Sequence, residues 1–412
     1  MAEAPSGRRE EVSQRAVAVG TAFIAVDLLD EGLWSCVHYL TRNQPYQYLF
    51  FMHSQETESK GPPLLPQPHY PFITKLLIEL FNEGNLSNVQ QIHIEPVYGY
   101  VGRIVYHNGA VRFFRGSSLG INRLGASEVA RDKGYTKHFL QSLGYRTPPG
   151  KVFLFPRFVE LIDRNLGRFG FGGYDHVEAV LAFIDESLGY PCYLKPNEGS
   201  QGRGIECCRT AGEVRAALEN FAEQGAFKVI VEKAVPHPDY RVVVMGDEII
   251  SCYLRKPLEL IGDGTSNIDA LFQARQVRFE EQGRDTVLKL IDPRIESSLQ
   301  RLGWNRDTIL DAGQVWRVYD VSNLSVGGDS EDYTETIHPY WRHLCIKITA
   351  DMGLRICGVD LACESITDAA ADYSILEINA APGLDNYAAT GAAQASRVRD
   401  LYRRAFDECV DV

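Results

Sequence analysis

The stretch CYLKPNEGSQGRGIECC, residues 192–208, places Lys195 at the end of an apolar, strand-like run and a glycine-rich segment directly after it. In a segment such as Glu198, Gly199, Ser200, Gly202 and Gly204, backbone N–H groups can converge on phosphate oxygens, because glycine has no Cβ to intrude. Lys195 adds a fixed positive charge beside them. The same composition also suits a plain surface turn. The spacing is neither GxxxxGK[ST] nor GxGxxG. RFGFGGYD, residues 168–175, lacks both spacings too and reads as a loop, with Arg168 and its aromatics as secondary substrate contacts.

A second group of chemical residues lies near the C-terminus, in RICGVDLACE and YSILEINAAPGL. Strand side chains alternate faces. Glu377 and Asn379 therefore share one face, with Leu376 and Ile378 on the other; Asp360 faces opposite to Val359 and Leu361. If the two strands are neighbours, Asp360, Glu377 and Asn379 form an oxygen-rich cluster. Completed by phosphate oxygens and water, it suits Mg²⁺. The alternative is two half-buried strands with solvated polar faces. A third segment, VIVEKAVPHPDYRVVV, runs an apolar strand into Glu232 and Lys233, then a turn, then Asp239, Tyr240 and Arg241. Glu232 could accept from an adenine amine and Asp239 from ribose hydroxyls; taken alone, the segment is a charged hairpin.

Five segments in order, LKPNEGSQGRGI, VEKAVPHPDYRVVV, IGDGTSNIDAL, SNLSVGG and GVDLACE with ILEINAAPGL, resemble the ATP-grasp module of cyanophycin synthetases and the glutathione-synthetase half of bifunctional glutathione-forming enzymes. The resemblance covers residues from about 125 to about 390. It implies a three-domain ATP-grasp fold of α+β and α/β type: an N-terminal α/β domain, 1–125, a central lid, 126–235, and a C-terminal metal-bearing domain, 236–412. It implies a ligase that makes an amide through an acyl phosphate and releases ADP and phosphate. Lys133 and Lys195 would hold ATP phosphates, with Lys137 a second candidate in RDKGYTK, and the loop from Glu198 to Gly204 would cover them. Glu232, Lys233 and the backbone near Val235 would meet adenine, and Asp239 the ribose. Asp360, Glu377 and Asn379 would bind Mg²⁺, as two ions.

By the same resemblance Arg255 and Arg317 match basic positions of the cyanophycin-type module, and with Arg241 they are candidates for the acyl phosphate and the substrate carboxylate. A planar guanidinium forms paired bonds to such anions. Asn323, Ser325, Gly327 and Gly328 form a second small-residue loop around the same groups. Some related ligases place an arginine directly before the metal-binding aspartate; Val359 stands there in this chain. His338, before Pro339, reads as a helix opener. The cyanophycin enzymes continue into a further ligase domain, and the glutathione enzymes carry a glutamate–cysteine ligase in front. The expectation is therefore a free-standing ligase joining amino acids or small peptides, active as a homodimer. The rivals are an ATP-grasp kinase and a non-catalytic ATP-binding regulator.

The whole chain agrees with such an enzyme. Its 412 residues carry a net charge of −12, against a surface for nucleic acid or anionic lipid. Nine cysteines without a CxxC pair read as reduced thiols in a cytoplasm. AVAVGTAFIAVDLL is interrupted by Asp27, too short to span a bilayer and unlike a signal peptide; it reads as a buried first strand.

The elements that must position these groups follow from pattern. FITKLLIELFNEG reads as a helix, and GRIVYHNGAVRFFRG as a hairpin turned by His107–Asn108–Gly109. ASEVARDKGYTKHFLQSLGYRTPPG predicts one helix ending at Gly144. HVEAVLAFIDESLGYP and TAGEVRAALENFAEQG predict helices flanking the Lys195 strand, and FKVIVEKAVP another strand. Residues 152–175 look inserted. From about 236 the chain is predicted to be rich in strands, with helices at PYWRHLCIKITADMG and ASRVRDLYRRAFDECV.

Overall fold

Five antiparallel strands form the sheet that carries most of the candidate residues. Their order is Asp329–Asp332, Glu248–Lys256, Asp239–Met245, Ile356–Cys363 and Tyr373–Asn379. One face is apolar: Tyr240, Val242, Val244, Val359, Leu361, Ile375 and Ile378 pack on Trp341, Cys345 and Ile348 of the helix Pro339–Asp351. His338 does open that helix, its Nδ1 accepting from Tyr340 N at 3.1 Å. The computed structural model describes residues 17–19, 22–24, 65–166, 176–199, 204–282, 284 and 286–408. The chain divides into two compact units, 1–63 and 64–412.

In the first unit Val17–Val19 pairs antiparallel with Ala22–Ile24, two short strands where the sequence suggested one. Everything else belongs to the second unit. Phe72–Asn82 is the expected helix, and Val101–Tyr106 and Val111–Arg115 the expected hairpin, with Gly109 at φ +86°. They share a core with the helix Ala392–Asp407, whose Val398, Leu401, Tyr402, Ala405 and Phe406 form one buried stripe. Arg112, buried, donates to the carbonyls of Ala405, Phe406 and Glu408 and caps that helix.

A second sheet of four strands runs Gly150–Leu154, Lys228–Lys233, Cys192–Pro196 and Glu206–Cys208, all antiparallel. The helices His176–Phe183 and Ala211–Glu223 cover it through Val180, Leu181, Val214, Leu218 and Phe221. Of the segment that looked inserted, 152–154 end the strand Gly150–Leu154 and Pro156–Leu166 is a helix; residues 167–175, with RFGFGGYD, lie beyond the described residues. The described cysteines are free, and all but Cys207 are buried. No helix among the described residues is long and apolar enough to cross a membrane.

Two local expectations fail. The single helix before Gly144 is two, Leu124–Arg131 and Lys133–Ser142. Asp132 adopts extended backbone between them, and its carboxylate accepts from Tyr135 N at 2.9 Å, which caps the second helix. Residues 258–321 are not simply strands either. They build a small core of their own from the helices Ile268–Glu281 and Pro293–Leu302 and the strand pair Glu259–Ile261 with Val315–Arg317.

Candidate active site

Register across the five-stranded sheet decides which polar residues meet. Asp332, Tyr253, Arg241, Asp360 and Glu377 are successive cross-strand partners and form one row. Two residues along each strand, Ser330, Arg255, Asp239 and Ala362 form a second row. Val243, Ser251, Gly358 and Asn379 form a third. Partners and i, i+2 neighbours share a face, so this whole polar array lies opposite the apolar core of the sheet.

Part of the array faces a cleft of about 590 Å³ between the two sheets, while Val243 and Tyr253 pack in the core shared with the helix Ala392–Asp407. Lys195 and Glu232 line it from the four-stranded sheet; Asp239, Arg241, Arg255, Asp360, Glu377 and Asn379 line it from the five-stranded sheet. The volume is that of an ordinary small-molecule site.

One predicted side chain is on the other side from where alternation put it. Register passes from Asp360 opposite Glu377 to Leu361 opposite Ile375, so Leu376 is an extra residue in its strand. A bulge of this kind resets the alternation. Ile375 takes the core position, and Leu376 lines the cleft next to Glu377.

The cations and carboxylates of the cleft are paired with care. Glu232, 4% exposed, accepts from Lys137 and from Lys195, each at 2.8 Å and each on a different oxygen. Burial acts to raise the Glu232 carboxyl, but Lys195 and Lys137 outweigh it and hold it below its ordinary value. Burial likewise acts to lower Lys195, but Glu232, with Glu377 and Asp239 behind it, holds it above its ordinary value. Asp360 accepts from Arg241 on both oxygens and from Arg255 at 2.8 Å. Burial pushes Asp360 up, and the two guanidinium groups overcome it and keep the carboxyl low. Asp239 accepts from Arg255 at 2.7 and 2.8 Å. Its carboxyl is raised, by burial first and then by the nearby Asp360, against the pull of Arg255.

The oxygens of Glu232 are engaged by two ammonium groups and those of Asp239 by Arg255, while both residues line the cleft. Lys137 was the second choice to Lys133 as a phosphate ligand; it is buried against Glu232.

Lys133 opens the helix after the Asp132 break. Its Nζ is 3.7 Å from Glu377 and donates to the Gly199 carbonyl at 3.1 Å. The start of the glycine-rich segment docks on that same break: Asp132 and Glu198 form an isolated bridge, and Asn197 accepts from Gly134 N at 2.9 Å. Glu198 and Gly199 are exposed, and Gly204 has φ +69°. Ser200 and Gly202 lie outside the described residues.

Val235, Lys233, Arg317 and Asn323 also line the cleft. Arg317 donates to the carbonyls of Tyr319 and Asp320, each at 3.2 Å. Asn323 accepts from Ser325 N and caps the short turn Leu324–Val326. Ser325 itself does not line the cleft, and Gly327 and Gly328 are buried behind it. A Cβ on Gly327 would lie 2.5 Å from Leu288 Cδ2, and one on Gly328 2.4 Å from the Lys256 carbonyl. These glycines allow the close packing of the turn.

Sequence reasoning missed Asp132, Asn197, Asp320 and Leu376. Asp132 had a signal, an aspartate three residues before a backbone N–H it can cap; the others are set by tertiary contacts.

The residues fit Mg²⁺. No group of three or more His, Cys, Asp or Glu among the described residues forms a protein cage for a metal. Mg²⁺ does not need one, since one or two carboxylates plus phosphate oxygens and water suffice. Asp360 and Glu377 supply carboxylates on adjacent strands. Asn379 Nδ2 and Arg255 Nε are buried with no hydrogen-bond partner among the described residues. An anionic oxygen arriving in the cleft would complete both.

Residues 318–399, which hold the Asp360 and Glu377 strands, match the model of the RimK-like ATP-grasp domain. Cyanophycin synthetase of Crocosphaera subtropica is 31% identical over 265 residues, 63% of this chain and 28% of that protein. The glutathione biosynthesis bifunctional protein of Streptococcus mutans is 28% identical over 266 residues, 62% of this chain and 32% of that one. The chain thus spans under a third of the length of each of these two curated relatives. Bifunctional glutathione synthetase from Pasteurella multocida resembles it in structure with a TM-score of 0.50 at 22% identity, covering 82% of this chain and 44% of that one. Its mixed α/β fold is thereby shared with that synthetase.

Proposed function

We propose that the protein is an ATP- and Mg²⁺-dependent carboxylate–amine ligase that joins amino acids or small peptides. The observation that carries this is one cleft with Lys195 on one sheet and Asp360, Glu377 and Asn379 on the other. Relatives named for cyanophycin and glutathione synthesis support the same chemistry. We assign residues 1–125 to an N-terminal domain, 126–235 to a lid and 236–412 to the metal-bearing floor, and we take the active form to be a homodimer.

Lys133, Lys195 and the backbone of 198–204 hold the triphosphate. Glu232 acts from behind, fixing Lys195 and Lys137 rather than touching the base. Val235 and the 233–236 backbone edge the nucleobase, with Leu376 as an apolar wall. Asp360, Glu377 and Asn379 hold Mg²⁺, taken here as two ions. Bound there, Mg²⁺ neutralises charge on the β- and γ-phosphates.

The substrate carboxylate, oriented by Arg241, Arg255 and Arg317, attacks the γ-phosphorus. The bond to the bridging oxygen breaks, and ADP leaves with that electron pair. A neutral amine then attacks the acyl carbon, the bond to phosphate breaks, and the amine loses a proton to water. The arginines stabilise the oxyanion that forms between these events. A covered cleft keeps water from the acyl phosphate.

A phosphate-release screen over an amino-acid matrix, with mass detection, tests this. ADP, phosphate and an amide in equal amounts are expected. A phosphorylated product with ADP and no free phosphate would make it a kinase; ATP binding without turnover for any pair would leave a regulator. Light scattering reads the dimer.

A further inference from the structure

Arg284 is buried at 7% exposure, outside the cleft and in the small core that sequence patterning missed. Its Nη2 donates to the carbonyls of Leu324 at 2.9 Å and Gly328 at 2.8 Å, the two ends of the turn that follows Asn323. Its guanidinium lies 4.1 Å from the centre of the Phe279 ring, and its backbone N donates to the Phe279 carbonyl at 2.9 Å. Two residues on, Thr286 Oγ1 donates to Asn386 Oδ1 at 2.8 Å.

A buried arginine is costly unless its donors are used. Here Nη2 is spent on two main-chain carbonyls, Asp329 stands 3.4 Å from Nη1, and Nε is buried with no partner among the described residues. The arrangement has a directional consequence. Asn323 and Ser322 line the cleft on its Arg317 side, and the turn that carries them is clasped from behind. Among the described residues, the side-chain partners of Arg284 are Leu324, Gly328, Asp329 and Phe279, none of which lines the cleft beside Lys195 and Leu376.

We propose that Arg284 is a positioning residue: by clasping Leu324 and Gly328 it fixes the Ser322–Asn323 wall against which the substrate's carboxylate is held. This rests on the ligase function proposed above. It assigns the 258–321 core a task, which is to set acid recognition while leaving nucleotide binding alone. Lysine at this position keeps the charge and a donor but loses the planar fork and the stacking on Phe279.

The test uses the full-length protein and the variants Arg284→Met and Arg284→Lys. Hydrogen exchange of the 322–330 peptide, without ligands, is expected to speed up by about tenfold in Arg284→Met and by less in Arg284→Lys. Exchange in the strand Ile356–Cys363 should not change. Affinity for Mg·ADP, read by calorimetry, should stay within about twofold, while KM for the carboxylate found in the screen rises about tenfold with kcat nearly kept. Arg284→Lys should recover part of that KM. Unchanged exchange at 322–330 would overturn the clasp. Faster exchange with unchanged KM, or ADP affinity and kcat falling together, would make Arg284 merely structural. Should Arg284→Met fail to fold, Arg284→Lys decides by the same readouts. Exchange and ADP binding need no turnover, so they stand apart from failure of the ligase proposal itself.

Discussion

Asp360 and Glu377 are direct partners across two antiparallel strands, yet they answer to different cations. Asp360 is clasped by Arg241 and Arg255 from its own sheet. Glu377 stands 3.7 Å from Lys133, which reaches it from the helix after the Asp132 break. One carboxylate is thus tied to its own sheet and the other to Lys133, the proposed phosphate ligand. A cation between them would link the two halves of the cleft.

Replacing Glu377 by glutamine keeps size and removes the charge. ADP formation should fall by at least about a hundredfold with every acceptor, a loss typical of a charge-stabilising group. Glu377 is only partly buried, so the melting temperature should stay within a few degrees. Retained turnover in a folded Glu377→Gln would remove this residue from the metal site.

Glu232 should matter to stability as much as to catalysis. Glu232→Gln leaves Lys137 and Lys195 without their shared counter-charge, and breaking a buried pair in this way costs about 3–5 kcal/mol. The pH dependence has a definite sign. The folded-state Glu232 value is depressed, so its contribution is complete above the ordinary 4.5 and is lost as pH falls below it, through the folded value. The Lys195 value is raised, so its share is complete below the ordinary 10.5 and is lost as pH rises through the folded value. Denaturant melts of wild type and Glu232→Gln should therefore differ most between those limits and converge in acid. A constant difference down to pH 2 would deny the ionic origin.

How legible the site was depends on what set each position. Asp360, Glu377 and Asn379 could be placed on one face because strand alternation is a local rule. Leu376 could not, because a bulge adds a residue without altering composition. The Asp132 break hid within unbroken helical spacing, although Asp132 itself was a capping signal. The helices Ile268–Glu281 and Pro293–Leu302 begin at Asn267 and Asp292 caps, and the second ends at Gly303 with φ +70°. Those signals were present, but the first helix has no clean apolar stripe: Phe272 and Phe279 are buried between long polar runs. Partner choice, such as Glu232 with two lysines, depends on strands that meet only in the folded chain.

The bulge makes a prediction of its own. Leu376 lines the cleft only because register slips at Glu377. Leu376→Trp should fill the nucleobase end and weaken Mg·ATP binding by about tenfold or more, since overpacking costs about 1–3 kcal/mol. Leu376→Ala should weaken it by less. Had alternation held, both changes would disturb the core behind the sheet, so a lowered melting temperature with normal ATP affinity would contradict the register. Calorimetry and thermal melts on the two variants separate the cases.

Arg209, just after the strand Glu206–Cys208 of the four-stranded sheet, pairs with Asp320 of the 258–321 segment. Two guanidinium nitrogens meet the two carboxylate oxygens at 2.8 and 3.2 Å, and Tyr193 Oη donates to the Asp320 carbonyl at 3.2 Å. Asp320 and Tyr193 both line the cleft. If the four-stranded sheet closes over nucleotide, this pair must hold the closed form. Both side chains are about a third exposed, so the coupling should be modest, about 0.5–1 kcal/mol. ADP release, followed by stopped flow, should therefore quicken by about two- to fivefold in Arg209→Asp and in Asp320→Arg. The double exchange Arg209→Asp with Asp320→Arg should restore much of the slow release, and the gap should narrow in high salt. Additive effects of the two single changes, unaltered by salt, would show that the pair does not govern opening of the cleft.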